Sequence, residues 1–185
     1  MLWHWGETYI PSANVTDGIY ITDSLGYELG LQNGDKITQV GDVPFEKFNP
    51  GAFNMGIIIN DARTYKVNRG GQEVVLPIGE QYTKVLTKNY KNKTLFTARF
   101  PHKVTKVNDD SPAKKAGLQV DDAIVKVNSV ATPSAIEMAL EMRKYKSETI
   151  PILVKRNGQL VPLNVTPNEE GAIGIGNAPM TDFYD

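Results

Sequence analysis

The residues that most often carry chemistry are sparse in this chain, and their spacing forms no recognisable site. Histidine occurs twice, at His4 and His102, and neither has a second histidine or a carboxylate at a metal-ligand spacing. The absence of cysteine excludes thiolate ligands, cysteine nucleophiles and disulfides. No Gly-x-Ser-x-Gly elbow of a serine hydrolase is present. The sequence therefore predicts no catalytic residue, no metal ligand and no cofactor, and we expect the chain alone not to be an enzyme.

Two further patterns are better explained by local structure than by chemistry. The pairs Asp109-Asp110 and Asp121-Asp122 lack the alternating oxygen ligands of a calcium loop and are typical of turns and helix caps. The glycine-rich run Gly171–Gly176 has neither dinucleotide-binding spacing nor a following helix. We expect this run to be the closing strand of a domain.

Composition limits the partners. The 185 residues include 20 basic and 21 acidic side chains that are well mixed, so no broad positive surface is available for nucleic acid. The longest apolar run, Met55–Ile59, is far shorter than the roughly 20 residues of a membrane-spanning helix. A secreted parent protein would have to carry its targeting signal elsewhere. We expect a folded chain of about two small domains.

An internal repeat defines the organisation of the chain. Asp23-Ser24 and Gly30–Gln32 recur 87 positions later as Asp110-Ser111 and Gly117–Gln119. Several further identities follow at the same spacing, among them Asp35 with Asp122, Ile37 with Ile124, Val67 with Val154 and Arg69 with Arg156. A constant spacing over so much of the chain indicates duplication of one module.

Each copy has strand patterns around its repeated turn. Asp35–Val40 and Asp122–Val127 alternate between apolar and polar residues, as half-buried strands do. Arg69–Gln72 and Arg156–Gln159 centre on Gly-Gly and Asn-Gly, which favour tight hairpins. The sequence thus predicts an α+β, strand-rich fold of two small, partly open β-barrels or sandwiches, each with one or two helices.

The second copy also contains a strong helix signal. The helix begins either at Thr132, with Pro133 in its first turn, or at Ser134, with Glu137 completing a capping box, and it ends near Tyr145. Its residues Ile136, Ala139 and Leu140 form one apolar face, and Ala135, Met138, Met142 and Tyr145 form another. One face fits the sheet and the other a ligand, or both form a single broad core-facing surface.

The corresponding stretch of the first copy, Asn49–Ile58, contains Gly51 and Gly56. Each glycine costs about 1 kcal/mol relative to alanine in a helix interior. We therefore expect a shorter or irregular helix in the first copy.

The boundary between the copies is predicted at a short amphipathic linker helix, residues 80–92, which places Tyr82, Val85, Leu86 and Tyr90 on one face. The first domain then covers residues 1–79 and begins with an amino-terminal juxtamembrane strand. The second domain covers residues 93–176, and residues 177–185 form a tail. Trp3, Trp5 and Tyr9 have the composition of an interfacial aromatic belt, or they pack on the first domain.

The turn Ser111–Leu118, followed by Asp122–Asn128, a helix and a hairpin, resembles a bacterial PDZ domain. Two such modules, preceded by Trp5–Pro11 and followed by Gly171–Ile175, resemble the periplasmic region of bacterial site-2 intramembrane zinc proteases of the regulator-of-sigma-E type. The resemblance implies a periplasmic region of an inner-membrane protein, with the catalytic zinc bound by flanking transmembrane helices of the parent that this chain lacks.

The resemblance also implies a function and a partner. Tandem PDZ domains of such a protease would control substrate access by peptide binding or by steric filtering, and the partner would be a peptide or protein substrate, including membrane-anchored ones. Two alternatives stay open: PDZ modules of a periplasmic serine protease of the high-temperature-requirement type, and a stand-alone peptide-binding adaptor.

A PDZ groove adds a peptide as an extra strand between a sheet edge and a helix. By the resemblance, the second copy's loop and strand are Phe100, Pro101, His102, Lys103, Val104 and Thr105, and its helix presents Ala135, Met138 and Met142. Pro101 has no N–H for a peptide carboxylate, although Lys103 offers a positive charge. We expect the first copy to bind peptide termini poorly, because its loop carries Asp17 and its helix contains glycines.

Overall fold

A computed structural model describes residues 9–89 and 94–183. The chain divides between Arg99 and Phe100 into two compact units. We refer to the described residues before this division as module 1 and to residues 100–183 as module 2. The division differs from the expected linker at 80–92, of which residues 90–92 lie outside the described residues.

Module 1 is built from two antiparallel sheets and three helices. A four-stranded sheet has the order β3-β2-β4-β5, and a two-stranded sheet pairs β1 with β6. In chain order the elements are β1 (Ile19–Ile21), α1 (Ser24–Glu28), β2 (Lys36–Val40), β3 (Val43–Pro44), α2 (Pro50–Ile58), β4 (Thr64–Arg69), β5 (Gln72–Pro77), α3 (Glu80–Asn89) and β6 (Phe96–Ala98).

Module 2 repeats this plan without a counterpart of α3. Its four-stranded sheet has the order β11-β10-β8-β9, and β12 pairs with β7. The elements are β7 (Val104–Val107), α4 (Pro112–Lys115), β8 (Ala123–Val127), β9 (Val130–Ala131), α5 (Ala135–Met142), β10 (Ile150–Arg156), β11 (Gln159–Val165) and β12 (Ile175–Asn177). The predicted strand-rich α+β fold is confirmed.

The strongest repeat identities form the same buried ion pair in both modules. In module 2 the Arg156 guanidinium donates two hydrogen bonds of 2.7 Å to the Asp122 carboxylate and one of 2.8 Å to the Gly117 carbonyl. Asp122 also accepts the Gln119 amide at 2.9 Å. Because this carboxylate is fully buried, it needs all of these donors, and the pair fixes the end of the hairpin to the turn before β8.

The same arrangement in module 1 explains the spacing of the repeat. Arg69 donates two hydrogen bonds of 2.8 Å to Asp35 and one of 2.8 Å to the Gly30 carbonyl. Gly30 has φ of +90°, which suits a turn residue without a Cβ. The duplicated residues are therefore those that hold the turn and the hairpin together.

Each module has its own apolar core. The module 1 core is rich in aromatic rings, and Phe53 lies edge-on to both Tyr65 and Phe96 at 5.3 Å between ring centroids. The module 2 core is mainly aliphatic and includes Met138 and Met142. Two closed cores are consistent with two small domains of the kind that the repeat predicts.

The prediction of a shorter helix in module 1 is wrong. Helix α2 spans nine residues, and its N-cap Asn49 accepts the amides of Gly51 and Ala52 through its side chain. Gly56 faces β2, where an added Cβ would lie 2.7 Å from a Val40 methyl carbon. The glycine allows helix and sheet to approach closely, and packing there outweighs its low helix propensity.

Helix α3 lies in the segment expected to link the modules, but it belongs to module 1. Its amphipathic face packs inward, with Leu86 fully buried and the Tyr82 hydroxyl 3.1 Å from the Glu28 carbonyl. After α3 the chain returns to the sheet as β6, which pairs with β1. Module 1 therefore needs residues up to Arg99, and the expected boundary lies inside it.

Candidate functional site

The strand expected to accept a peptide, β7, has neighbours on both edges. One edge pairs with β12. On the other side, the Val104 amide donates to the Asp122 carbonyl and the Asp121 amide donates to the Val104 carbonyl, both at 2.8 Å. The residues Phe100–Thr105 therefore lead into an inner strand, which leaves little open edge for an added strand.

His102, in the same segment, is a buried structural residue. It is 3% exposed, and its Nδ1 accepts the Ile124 amide at 3.0 Å. Burial is the main cause that lowers the pKa of His102 to about 4, although Asn177 and the charge of Asp122 act in the opposite direction. The ring is therefore neutral at pH 7. It holds β8 in place by accepting the hydrogen bond from the Ile124 amide.

The other expected site residues lie in the core. Ala135, Met138 and Met142 are 7%, 3% and 2% exposed, and both methionines belong to the module 2 core. They therefore form the core-facing side of α5 and offer almost no surface to a ligand. The neighbouring face of the helix contains Ile136 and Ala139, which are half-buried, and Leu140, which is 40% exposed.

Strand β12 is an edge strand of module 2, as are β9 and β11 of the four-stranded sheet. Strand β12 pairs only with β7 among residues 9–89 and 94–183. The Gly174 carbonyl accepts the Asn108 amide on the β7 side. Because backbone groups of successive strand residues point in opposite directions, Ile175 directs its N–H and C=O to the free edge. A peptide strand can add there.

A tight loop, Gly171–Gly174, comes directly before β12. Gly171 and Gly174 both have φ of +78°, a backbone region that favours glycine. Asn168 fixes the loop, since its side-chain oxygen accepts the amides of Glu170 and Ala172 at 3.1 and 2.8 Å. The two glycines and Asn168 therefore determine the conformation of the loop.

Two amide groups of this loop have no internal acceptor. Within the part of the chain that the structure describes, the N–H groups of Ile173 and Gly174 donate to no carbonyl or side chain. Neighbouring free amides next to a strand edge are suited to an anionic group such as a terminal carboxylate. The sequence signal for this loop is the run beginning at Gly171, which predicts a closing strand and contributes to the family resemblance but does not itself indicate free amides.

Arg143, the C-cap of α5, lies against the loop. A Cβ added at Gly171 would come within 2.6 Å of the Arg143 Cα and 3.2 Å of its Cβ. The side of α5 that bears Arg143 therefore faces the loop. Residues three and four positions apart share one side of a helix, so Ile136 and Ala139 lie on this side with Arg143. We call these three residues the groove stripe.

The equivalent surface of module 1 is closed at one position. The position in α2 that matches Ala139, counted from the N-caps Asn49 and Ser134, is Asn54, which is 1% exposed. Helix α3 packs against α2. Counted back from β6, residues 92–95 take the place of the loop before β12, and of these residues 92 and 93 lie outside the described ones. The helix position that matches Ala139 is therefore not available at the surface of module 1.

Module 1 contains two cavities, of about 510 and 270 Å³, on either side of Phe45. The larger one lies between Tyr9–Ala13 and the strands β2 and β3. Neither is lined by β6. They are separate from the sheet edge at which a peptide would add.

Metal binding and membrane crossing find no support in the described residues. No group of three or more histidine, aspartate or glutamate side chains is arranged to hold a metal ion in residues 9–89 and 94–183. None of the helices in those ranges is long and apolar enough to cross a membrane.

Comparison with known proteins supports the resemblance of the repeated modules to PDZ domains and of the chain to zinc metalloproteases. A family model for the PDZ domain matches residues 103–145. The zinc metalloprotease RasP of Shouchella clausii is 39% identical over 79 residues, which are 38% of this chain and 19% of that protein. A putative zinc metalloprotease of Treponema pallidum is 26% identical over 167 residues, which are 85% of this chain and 36% of that protein.

The PDZ domain of an SdrC-like protein from Listeria innocua matches 43% of this chain and 96% of its own, with 21% identity and a TM-score of 0.38. This chain spans about a fifth of the length of the RasP relative and about a third of the Treponema protein.

Proposed function

We propose that this chain, which contains a PDZ domain and is related in sequence to bacterial zinc metalloproteases, is a peptide-binding regulatory region of a larger protease. Module 2 binds the carboxyl end of a peptide as a strand added to β12. The zinc and the catalytic residues of the parent lie in other parts of that protein. The chain itself cleaves nothing.

The observation that carries the proposal is the alignment of three features at one place. The edge of β12 is open, the Ile173 and Gly174 amides before it have no internal acceptor, and the stem of Arg143 contacts this loop. Backbone hydrogen bonds along β12 would supply affinity, and the amides with Arg143 would hold the terminal carboxylate. Few side chains take part, so we expect weak and permissive binding.

The same peptide-binding edge would act in the parent protein. Its relatives include zinc metalloproteases. In such a parent, at the periplasmic face of an inner membrane, module 2 would hold the end of a substrate, including a membrane-anchored one, and so control its access to the zinc centre. Steric filtering by both modules is compatible with this role.

The test is a titration of the chain with a hexapeptide that ends in valine, with a free carboxylate or as the amide. We expect the free acid to bind at least tenfold more tightly, and its NMR shifts to map to Ile173–Asn177 and α5. The Arg143→Glu variant should lose at least tenfold in affinity, whereas Lys155→Glu, the same charge change on an exposed residue of β10, should not.

Two results would overturn the binding proposal: equal affinity of the acid and the amide, or shifts confined to module 1. For the wider role, Arg143→Glu in the full-length parent should change the rate or selectivity of substrate cleavage. An unchanged cleavage pattern would refute control by this groove.

A further inference from the structure

The two modules differ at the outer edge of their four-stranded sheets. Strand β5 is the last strand of one sheet, and β11 is the last strand of the other. The repeat spacing of 87 positions aligns Val75 of β5 with Pro162 of β11. Proline has no N–H, and on an edge strand it opposes the addition of a further strand. Module 2 therefore has a protected edge where module 1 has none.

The hairpin turn determines which backbone groups of β5 point outward. The two turn residues, Gly70 and Gly71, have φ of +59° and +89°, as in a type I′ turn, so the residues that flank them form a hydrogen-bonded pair. Such pairs alternate along antiparallel strands. Every second residue of β5, counted from the turn, therefore directs its N–H and C=O to β4. The residues between them, Glu73, Val75 and Pro77, direct theirs outward.

The outward groups of β5 are free to pair. The N–H groups of Glu73 and Val75 donate to no acceptor in residues 9–89 and 94–183, and Val75 is 53% exposed. In module 2 the turn Asn157-Gly158 gives β11 the same alternation, so the N–H that Pro162 lacks would have pointed outward. An unprotected edge with an exposed β-branched residue is a template for another strand.

We propose that this edge pairs with the same edge of a second copy of the chain, as an antiparallel β5–β5 ladder with its two-fold axis at Val75. The two Val75 residues then exchange N–H···O=C bonds, and each Glu73 N–H donates to the Pro77 carbonyl of the other copy. Every outward N–H of both strands has an acceptor in this register. The ladder uses no residue of β12 or of the groove stripe, so it is independent of the proposed function.

The side chains fit a second copy of the same strand. The two Val75 side chains lie directly opposite each other and cover their exposed surfaces. Glu73 meets Pro77 of the other copy, so like charges do not face each other, and Glu73 keeps its own ion pair with Lys66 at 3.6 Å. The formal net charge of −1 gives two copies little mutual repulsion. Because the ladder is short, we expect a weak dimer, with a dissociation constant on the order of 0.1 mM.

The experiment measures dimerisation of the full chain by sedimentation equilibrium up to millimolar concentration. Val75→Glu places two carboxylates directly opposite each other across the two-fold axis and should weaken the dimer at least tenfold. Within one copy the new carboxylate lies beside Lys66, its partner in β4, so the monomer should stay folded, which circular dichroism verifies. Leu160→Glu, at a 61% exposed residue of β11, is the matched control and should not change dimerisation.

A mixing experiment tests the position of the two-fold axis. Val75→Glu and Val75→Lys should each be monomeric alone, and their equimolar mixture should dimerise again, because opposite charges then face each other. Three results would overturn the proposal: a wild-type chain that stays monomeric at millimolar concentration, a dimer that Val75→Glu does not weaken, or a mixture that stays monomeric. The first result includes the case in which the β5 amides respond only to an added foreign peptide.

Discussion

At the scale of single residues, the repeat identities proved informative about structure and the histidines uninformative about chemistry. Asp122 and Arg156 were visible in the sequence as identities with Asp35 and Arg69, and the structure shows both pairs as buried bidentate ion pairs. The role of His102 could not be predicted, because its Nδ1 contact with the Ile124 amide depends on the packing of β8. A sequence shows the type of a residue but not its burial.

The buried histidine gives module 2 a distinct pH dependence. In the unfolded chain, histidine binds a proton near pH 6.5, whereas the pKa of His102 in the fold is lowered to about 4. Between these values the unfolded state binds more protons, so stability is fully present above pH 6.5 and falls as pH decreases toward 4. The loss amounts to at most about 3 kcal/mol.

Hydrogen exchange of the β10 amides, which reports opening of module 2, measures this loss. The His102→Asn variant keeps an acceptor for the Ile124 amide but does not titrate, so we expect its stability to vary less between pH 4 and 6.5. Parallel pH profiles of wild type and variant would contradict the assignment.

At the scale of elements, periodicity located the helices well but could not tell what they pack against. The apolar face of α3 was evident from Tyr82 and Leu86, yet an amphipathic pattern is the same for a linker and for a core helix. Similarly, the two apolar faces of α5 were visible in the sequence, but not which of them packs in the core, where Met138 and Met142 lie. Deciding between faces requires the long-range strand pairing.

The burial of Leu86 makes α3 a part of the module 1 fold. We expect Leu86→Ala to destabilise module 1 by about 2–5 kcal/mol, the usual cost of removing a buried leucine side chain. Val85→Ala, at a position 40% exposed, should change stability by less than about 1 kcal/mol. Exchange rates of β4 amides report both effects. An unchanged rate in Leu86→Ala would show that α3 is only a linker.

At the scale of the whole chain, the repeat correctly indicated two strand-rich modules. The position of the connection between them could not be predicted from the repeat. The chain leaves the β4–β5 hairpin, forms α3 and returns as β6, so the last strand of module 1 lies beyond the polar segment that looked like a boundary. In module 2 the equivalent strand, β12, follows β11 without a helix of this kind. The two copies differ in length there, and a constant repeat spacing cannot reveal this.

The position of the boundary leads to a test by truncation. Strand β6 pairs with β1 through Ile19 with Ala98 and Ile21 with Phe96. Leu95, Phe96 and Ala98 are each fully buried. Loss of a buried phenylalanine or leucine side chain costs about 2–5 kcal/mol each, and a small domain has a total stability of only about 5–15 kcal/mol.

A fragment of residues 1–99 should therefore fold cooperatively, whereas a fragment of residues 1–92 should be largely unfolded or aggregated. Thermal unfolding by circular dichroism and the dispersion of amide NMR signals distinguish the two. The complementary fragments 93–185 and 100–185 provide the control. Because β6 contributes nothing to the module 2 core, both should fold with the same midpoint. Equal stability of fragments 1–92 and 1–99 would place the boundary in the amphipathic segment and make β6 an accessory strand.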